Sequence, residues 1–185
     1  PALPVYIDSP LAINATEVFR LHPECYDLDA REFTSDTGSI LGGPSFNFVQ
    51  SVEESKRIIR RRSPCIVISA SGMCEAGRVL HHLRNAVEQE RNTILIVGFQ
   101  AEHTLGRRIV ERNESIKIYG EWHKLKAEVV VLNGFSAHAD ARELKSYTDP
   151  LAGRAKKVFL VHGELDQSSS LADTLRAAGH REVHI

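Results

Sequence analysis

Long hydrophobic runs are missing from this 185-residue sequence: no apolar stretch approaches the ~20 residues needed to cross a bilayer. A membrane-spanning helix is therefore excluded. The first ten residues also lack the basic start and long apolar stretch of a secretory signal, so the expected location is the cytoplasm. Cysteine is scarce. Cys25, Cys65 and Cys74 are odd in number and show no Cys-x-x-Cys spacing, which argues against a disulfide framework and against a thiolate zinc site. An excess of one charge is absent too, because 23 Lys+Arg stand against 24 Asp+Glu for a net charge of −1. There is thus no strongly basic domain to signal nucleic acid by charge alone. No G-x-x-x-x-G-K-[ST], G-x-G-x-x-G or G-x-S-x-G occurs, so P-loop, dinucleotide and α/β-hydrolase signatures are excluded. With 42% hydrophobic and 25% charged residues, the composition is that of a globular chain of one or two domains with a real core. What stands out is histidine, of which there are nine.

Short β-branched runs followed by turn residues and helical patterns predict a parallel α/β sheet. Val5-Tyr6-Ile7 reads as a strand, with Ser9 capping a helix whose first turn accepts Pro10. Residues 34–45, rich in Gly, Ser and Thr, read as a loop, and residues 51–62 as a charged helix with a basic end that complements the helix dipole. Cys65 to Ile68 and Thr93 to Val97 each lead from a strand into a Gly- or Ser-containing turn and a helix, the first helix from about Glu75 to Val87. Their continuous apolar character predicts strands buried on both faces, with ligands at the carboxyl ends. After about Asn113 the character changes. Residues 116–119 and 128–132 read as closely linked antiparallel or edge strands, followed by a helix at about 137–147, a strand at 157–161, a helix at 171–178 and a last strand at 182–185. A soft boundary is placed near residue 115.

Phe135-Ser136-Ala137-His138-Ala139-Asp140 puts Ser136 at a helix N-cap and His138 in its first turn, where free amides suit a phosphate and an imidazole can donate a proton. A simple Ser cap with a surface His fits the same spacing, and spacing alone favours it. Val161-His162-Gly163-Glu164 places His162 just past an apolar strand, as a metal or substrate ligand or as a His bonded to a loop carbonyl. Ser69, Ser71 and Gly72 suit a phosphate or a tight strand-to-helix turn. Asp8 reads as the carboxylate of a local turn with Ser9-Pro10, and the adjacent His81 and His82 as surface or contact residues that point in different directions.

Taken in order, Tyr6-Ile7-Asp8-Ser9-Pro10-Leu11-Ala12, Ser69-Ala70-Ser71-Gly72-Met73, Gly98-Phe99-Gln100-Ala101-Glu102, residues 135–140 and residues 161–164 resemble the β-CASP group of metallo-β-lactamase-fold ribonucleases. The resemblance implies a parallel β-CASP sheet flanked by helices over residues 1–115. Residues 116–185 would then be the C-terminal return part of a metallo-β-lactamase αββα fold. It implies hydrolysis of RNA phosphodiesters by a zinc-activated hydroxide, with two zinc ions roughly 4 Å apart in the intact enzyme. His138 matches the motif B histidine beside the scissile phosphate and His162 the motif C histidine that ligates zinc. Ser136, Ser69, Ser71 and Gly72 match phosphate-contacting positions. The family's His-x-His-x-Asp-His signature is absent, since no two histidines here stand two apart. The expectation is a fragment with an incomplete zinc site, inactive alone and lacking an N-terminal half. Its partners on this reading are RNA, that missing half, and a second copy of the chain in a homo-oligomer, with no membrane partner. The alternative is a non-catalytic module that binds RNA or protein through the same cleft.

Overall fold

The computed structural model describes residues 3–38, 42–43, 45–135 and 138–185. The chain divides into two compact units, residues 1–136 and 137–185. In the first unit, parallel strands β1 (Val5–Asp8), β2 (Phe46–Phe48) and β3 (Ile66–Ser69) form a sheet of order β2-β1-β3, with Asp8 opposite Ser69 at its carboxyl end. Helix α1 (Pro10–Leu21) follows β1 as the Ser9-Pro10 pair dictates: the Ser9 hydroxyl accepts from Ala12 N–H at 3.3 Å and Pro10 begins the first turn. Helix α2 (Leu28–Thr37) occupies the start of the segment read as loop. Asp27 caps it through Ala30 N–H, and Gly38, at φ 77°, ends it in the left-handed conformation. That start signal and stop signal outweigh the polar Ser/Thr content.

Helix α3 (Val52–Ile59) opens on a reciprocal capping box between Ser51 and Glu54. Helix α4 (Val79–Ala86) starts four residues later than the apolar pattern predicts. The intervening residues fold into a closed turn instead, with Ser71 N–H donating to Ala76 O at 2.9 Å and Val79 N–H to Ala70 O at 3.2 Å. Gly77 makes this possible: at φ 87°, a Cβ there would lie 2.5 Å from the Ala70 carbonyl oxygen. Strand β4 (Thr93–Ile96) leads to the short helix α5 (Leu105–Val110), capped by the Thr104 hydroxyl. Strands β5 (Ser115–Ile118) and β6 (Glu121–Lys124) make an antiparallel hairpin turning at Tyr119-Gly120, and β7 (Glu128–Val131) pairs parallel with β4. The closely linked antiparallel partner is thus β6, a strand whose exposed polar residues concealed it, while β7 is not part of that hairpin.

Ile94, Ile96, Leu105, Ile109, Ile116, Ile118 and Val129 are buried with Leu83 and Val87 in one core. Along β3 and β4 the burial alternates, with Ile66, Ile68 and Leu95 all about half exposed. These strands bury one face each, not both: a pleated strand sends alternate side chains to opposite sides, and only one side meets a packed layer here. The second unit holds α6 (Ala141–Thr148), β8 (Val158–Phe159), α7 (Leu165–Ala177) and β9 (Val183–His184), with β8 and β9 parallel. Its core is small, formed by Ala172, Leu175 and Val183 with Val158, Leu160 and Leu171 packed against them. Among the described residues no helix is long and apolar enough to cross a membrane.

Candidate functional site

Asp8 ends β1 facing inward, fully buried. Its carboxylate accepts from Ser55 Oγ at 2.5 Å, from Arg78 Nη1 at 2.6 Å, and lies 2.6 Å from His82 Nε2. The expectation of a turn carboxylate is corrected: Ser9 does the capping alone, and Asp8 joins β1, α3 and α4 from the inside. Burial alone would raise its pKa. The hydrogen bonds from Ser55, His82 and Arg78, with the charge of His82, outweigh that and hold the carboxyl below its ordinary value. Arg78 also donates to Val49 O and Gln50 O, at 3.1 and 2.9 Å, which ties the strand-to-helix connection before α3 to the same point. Sequence reasoning missed this cluster because its partners lie 47, 70 and 74 residues from Asp8. One local signal was present. Arg78 and His82 are four apart and so share a helix face, whereas attention to the adjacent His81 and His82 looked across faces. His81 turns instead to Tyr119, its Nε2 lying 3.2 Å from the phenol oxygen.

The Asp8 cluster borders the turn of residues 69–73. Ser69 Oγ donates to the Asp8 carbonyl at 2.9 Å, which commits that hydroxyl proton. Ser71 Oγ accepts from Ala76 N–H at 3.3 Å and keeps its own proton for another acceptor. The amides of Gly72 and Met73 donate to no group among the described residues. From the other side, the segment after β4 clamps the turn: Gln100 Nε2 donates to Gly72 O at 3.0 Å, Gly106 N–H to Met73 O at 3.1 Å, and Ala101 N–H to the Met73 sulfur at 3.4 Å. Leu105 N–H donates to Glu75. Gly106 leaves room for this clamp: a Cβ would fall 1.6 Å from Gln100 Oε1 and 3.1 Å from Met73 O, so the Gln100 side chain would have to move. Three of the five motif segments therefore meet in one place, around a turn anchored on both flanks with two amides and one hydroxyl to spare.

Cys74 follows this turn in a left-handed conformation, φ 59°, and is buried. Burial first, and the Glu75 carboxylate second, push its thiol up to about 11, so it is an inert packing group at neutral pH.

Of the remaining two segments, residues 161–164 belong to the second unit and residues 135–140 run across the division after residue 136. Ser136 lies outside the described residues. Helix α6 begins at Ala141 with Asp140 as its N-cap, accepting from Arg142 N–H and Glu143 N–H at 2.8 and 2.9 Å while Glu143 reaches back to Asp140 N–H. Capping by a carboxylate satisfies the orphan amides that the sequence pattern had reserved for an anion. His138 is exposed, two residues ahead of that cap rather than in the first turn. His162 is exposed beyond β8, at φ 65°, with Gly163 between it and the Glu164 that begins α7. Among the described residues, no three His, Cys, Asp or Glu side chains gather into a set able to hold a metal ion. The described residues therefore do not by themselves fit a zinc site.

The sequence model of the Beta-Casp domain matches residues 1–109, more than half of the chain. The chain belongs to the β-CASP family. The model of the Zn-dependent metallo-hydrolase RNA specificity domain matches residues 122–185, after the β-CASP match. Among curated relatives, ribonuclease TTHA0252 of Thermus thermophilus is 35% identical over 179 residues, which cover 97% of this chain and 41% of that protein. Transcription termination factor FttA of Methanosarcina mazei is 34% identical over 95% of this chain and 28% of its own length. The FttA of Methanocaldococcus jannaschii is 30% identical over 98% of this chain and 30% of its own. The β-CASP chain thus spans less than half the length of these relatives.

Proposed function

We infer that this chain is the RNA-clamping part of a zinc-dependent, RNA-processing nuclease of the cytoplasm, one that hydrolyses RNA phosphodiester bonds and is inactive without the rest of its protein. The observation that carries this reading is the succession of a Beta-Casp match and a metallo-hydrolase RNA specificity match along one chain. Residues 1–115 form the β-CASP domain in this reading, and 116–185 the returning segment of the metal domain. The turn at Ser69, Ser71 and Gly72 holds a substrate phosphate. Support comes from the amides of Gly72 and Met73, which donate to no group among the described residues, and from the Ser71 hydroxyl, the donors an anion needs. Ser136 is a further phosphate contact. His138, exposed beside it in sequence, gives a proton to the leaving oxygen, and His162 supplies one zinc ligand toward a site completed by residues from outside this chain. RNA, the remainder of the same protein and a second copy of the chain are its partners.

The test is made in the full-length parent protein with a labelled RNA. His162→Ala should lower bound zinc measured by elemental analysis, and His138→Ala should lower turnover with zinc retained. Unchanged turnover in both variants overturns the site. Robust metal-dependent cleavage by the 185-residue chain alone overturns its inactivity.

A further inference from the structure

Near-neutral net charge conceals one concentrated patch. Residues 56–62, Lys-Arg-Ile-Ile-Arg-Arg-Arg, hold five cations and no anion. A basic helix end would account for Lys56 and Arg57, which lie in the last turn of α3. Arg60 caps the helix and Arg61 and Arg62 lie beyond it, where the dipole no longer explains them. Arg57, Arg60 and Arg62 are exposed; the charge of Arg57 acts on the Glu54 carboxylate, and Arg60 and Arg62 make no ion pair among the described residues. Such a run repels itself unless an external anion is there to meet it.

Beside this run is a cavity of about 430 Å³ between the β2 edge and α3, lined by Tyr6, Asn47, Phe48, Glu54, Arg57 and Arg61 among others. Arg61 is laid over the Tyr6 ring, 5.8 Å from its centroid, and donates to the phenol oxygen at 3.1 Å. That contact holds a flat guanidinium in place, a surface on which a nucleobase stacks. The Asn47 amide nitrogen is committed to Val5 O and Ser45 O, at 3.3 and 3.1 Å, which leaves its carbonyl oxygen as an acceptor. Glu54 is tied to the Gln50 and Ser51 amides in the capping box, so its charge is partly satisfied locally. A held aromatic and guanidinium pair, a lining of mixed polarity, and a line of exposed arginines form the combination that binds single strands: stacking for the base and cations for the phosphates.

We propose that the cavity between β2 and α3 binds a nucleotide of single-stranded RNA, with the base against the Tyr6–Arg61 pair and the flanking phosphates on Arg57, Arg60 and Arg62. This is a second RNA contact, on the α3 side of the β2 edge and separate from the turn of residues 69–73. It rests on the reading of the chain as an RNA binder. Its role is to hold a length of substrate strand, so the cleft engages RNA already anchored nearby.

The experiment measures binding of a fluorescent ten-nucleotide oligouridylate to the chain by anisotropy at two salt concentrations, for wild type and for Arg57→Glu with Arg61→Glu. The expected result is at least a tenfold loss of affinity in the double variant, with a salt slope shallower by about 0.7 for the one phosphate contact at Arg57, the Arg61 change removing the stacking surface. Photocrosslinking of the wild-type chain with a 4-thiouridine oligomer, which needs no variant to fold, should label Tyr6 or residues 46–62. Wild-type binding with an unchanged double variant overturns the second contact and leaves the RNA reading intact. Crosslinks confined to residues 69–73, or equal competition by double-stranded RNA of the same length, also overturn it. No binding by wild type overturns both.

Discussion

The two units carry their motif residues in opposite ways. In the first, Asp8, the 69–73 turn and the segment around Gln100 are bound to one another by contacts distant in the chain, and the elements from α4 to β7 share one apolar core. In the second, His138 and His162 are exposed in connecting segments of a unit whose core has three buried residues. A polar group that must be held in one geometry is built into the scaffold. On the proposed reading His138 and His162 meet a ligand or another part of the protein, and at the surface their replacement costs the fold little.

The largest expected effect is at Asp8. Asp8→Ala leaves Arg78, His82 and Ser55 without their common acceptor, and the first unit should lose about 3–5 kcal/mol in denaturant titration. A loss under about 1 kcal/mol would mean that the cluster is no more structural than the exposed histidines. The same group sets an acid limit. Its folded pKa is depressed, so its contribution is full above the ordinary carboxylate value and is lost as pH falls through the lower folded one. Wild type should therefore destabilise more steeply than Asp8→Asn between pH 4 and acid unfolding, roughly the window in which such a carboxylate protonates.

Next come the two cores. Ile109→Ala, at a fully buried position among many apolar neighbours, should cost about 3–4 kcal/mol, and Leu175→Ala about 2–3, because the smaller core collapses more readily around the gap. Equal costs, read by urea unfolding, would erase the contrast between the units. His162→Ala should then change stability by less than about 0.5 kcal/mol, as expected for an exposed side chain, and a larger loss would place it in the scaffold after all.

The smallest effect is chemical. At pH 8 an alkylating reagent should modify the exposed Cys25 and spare Cys74, whose thiol is held near 11 by burial and by Glu75. The unfolded chain ionises Cys74 first as pH rises past about 9, so folded stability should decline from there toward 11. Rapid native labelling of Cys74 would show the turn beside it to be open.

Local signals were readable where both partners are close in sequence. Ser9 and Pro10 specify the start of α1, and Ser51 with Glu54 that of α3, because a cap and its amide are three residues apart. Capping also misled: Ser136 and Asp140 are both good N-caps, and the Glu143 that completes a reciprocal box decides for Asp140. The strand β6 was hidden because Glu121, Trp122 and Lys124 are exposed on a hairpin with no apolar alternation.

The sequence by itself determined the family, through the order and identity of its five motif segments, and the existence of most elements, through caps and apolar periodicity. Only the tertiary structure decided that Asp8 is an internal anchor, that the 69–73 turn is clamped by the Gln100 segment, and that Arg61 lies over Tyr6 beside a cavity. Each of those is a contact between residues far apart in the chain. No local preference encodes such a contact, because it appears only when helices and strands have packed and the ring, carboxylate or amide has been carried to its partner.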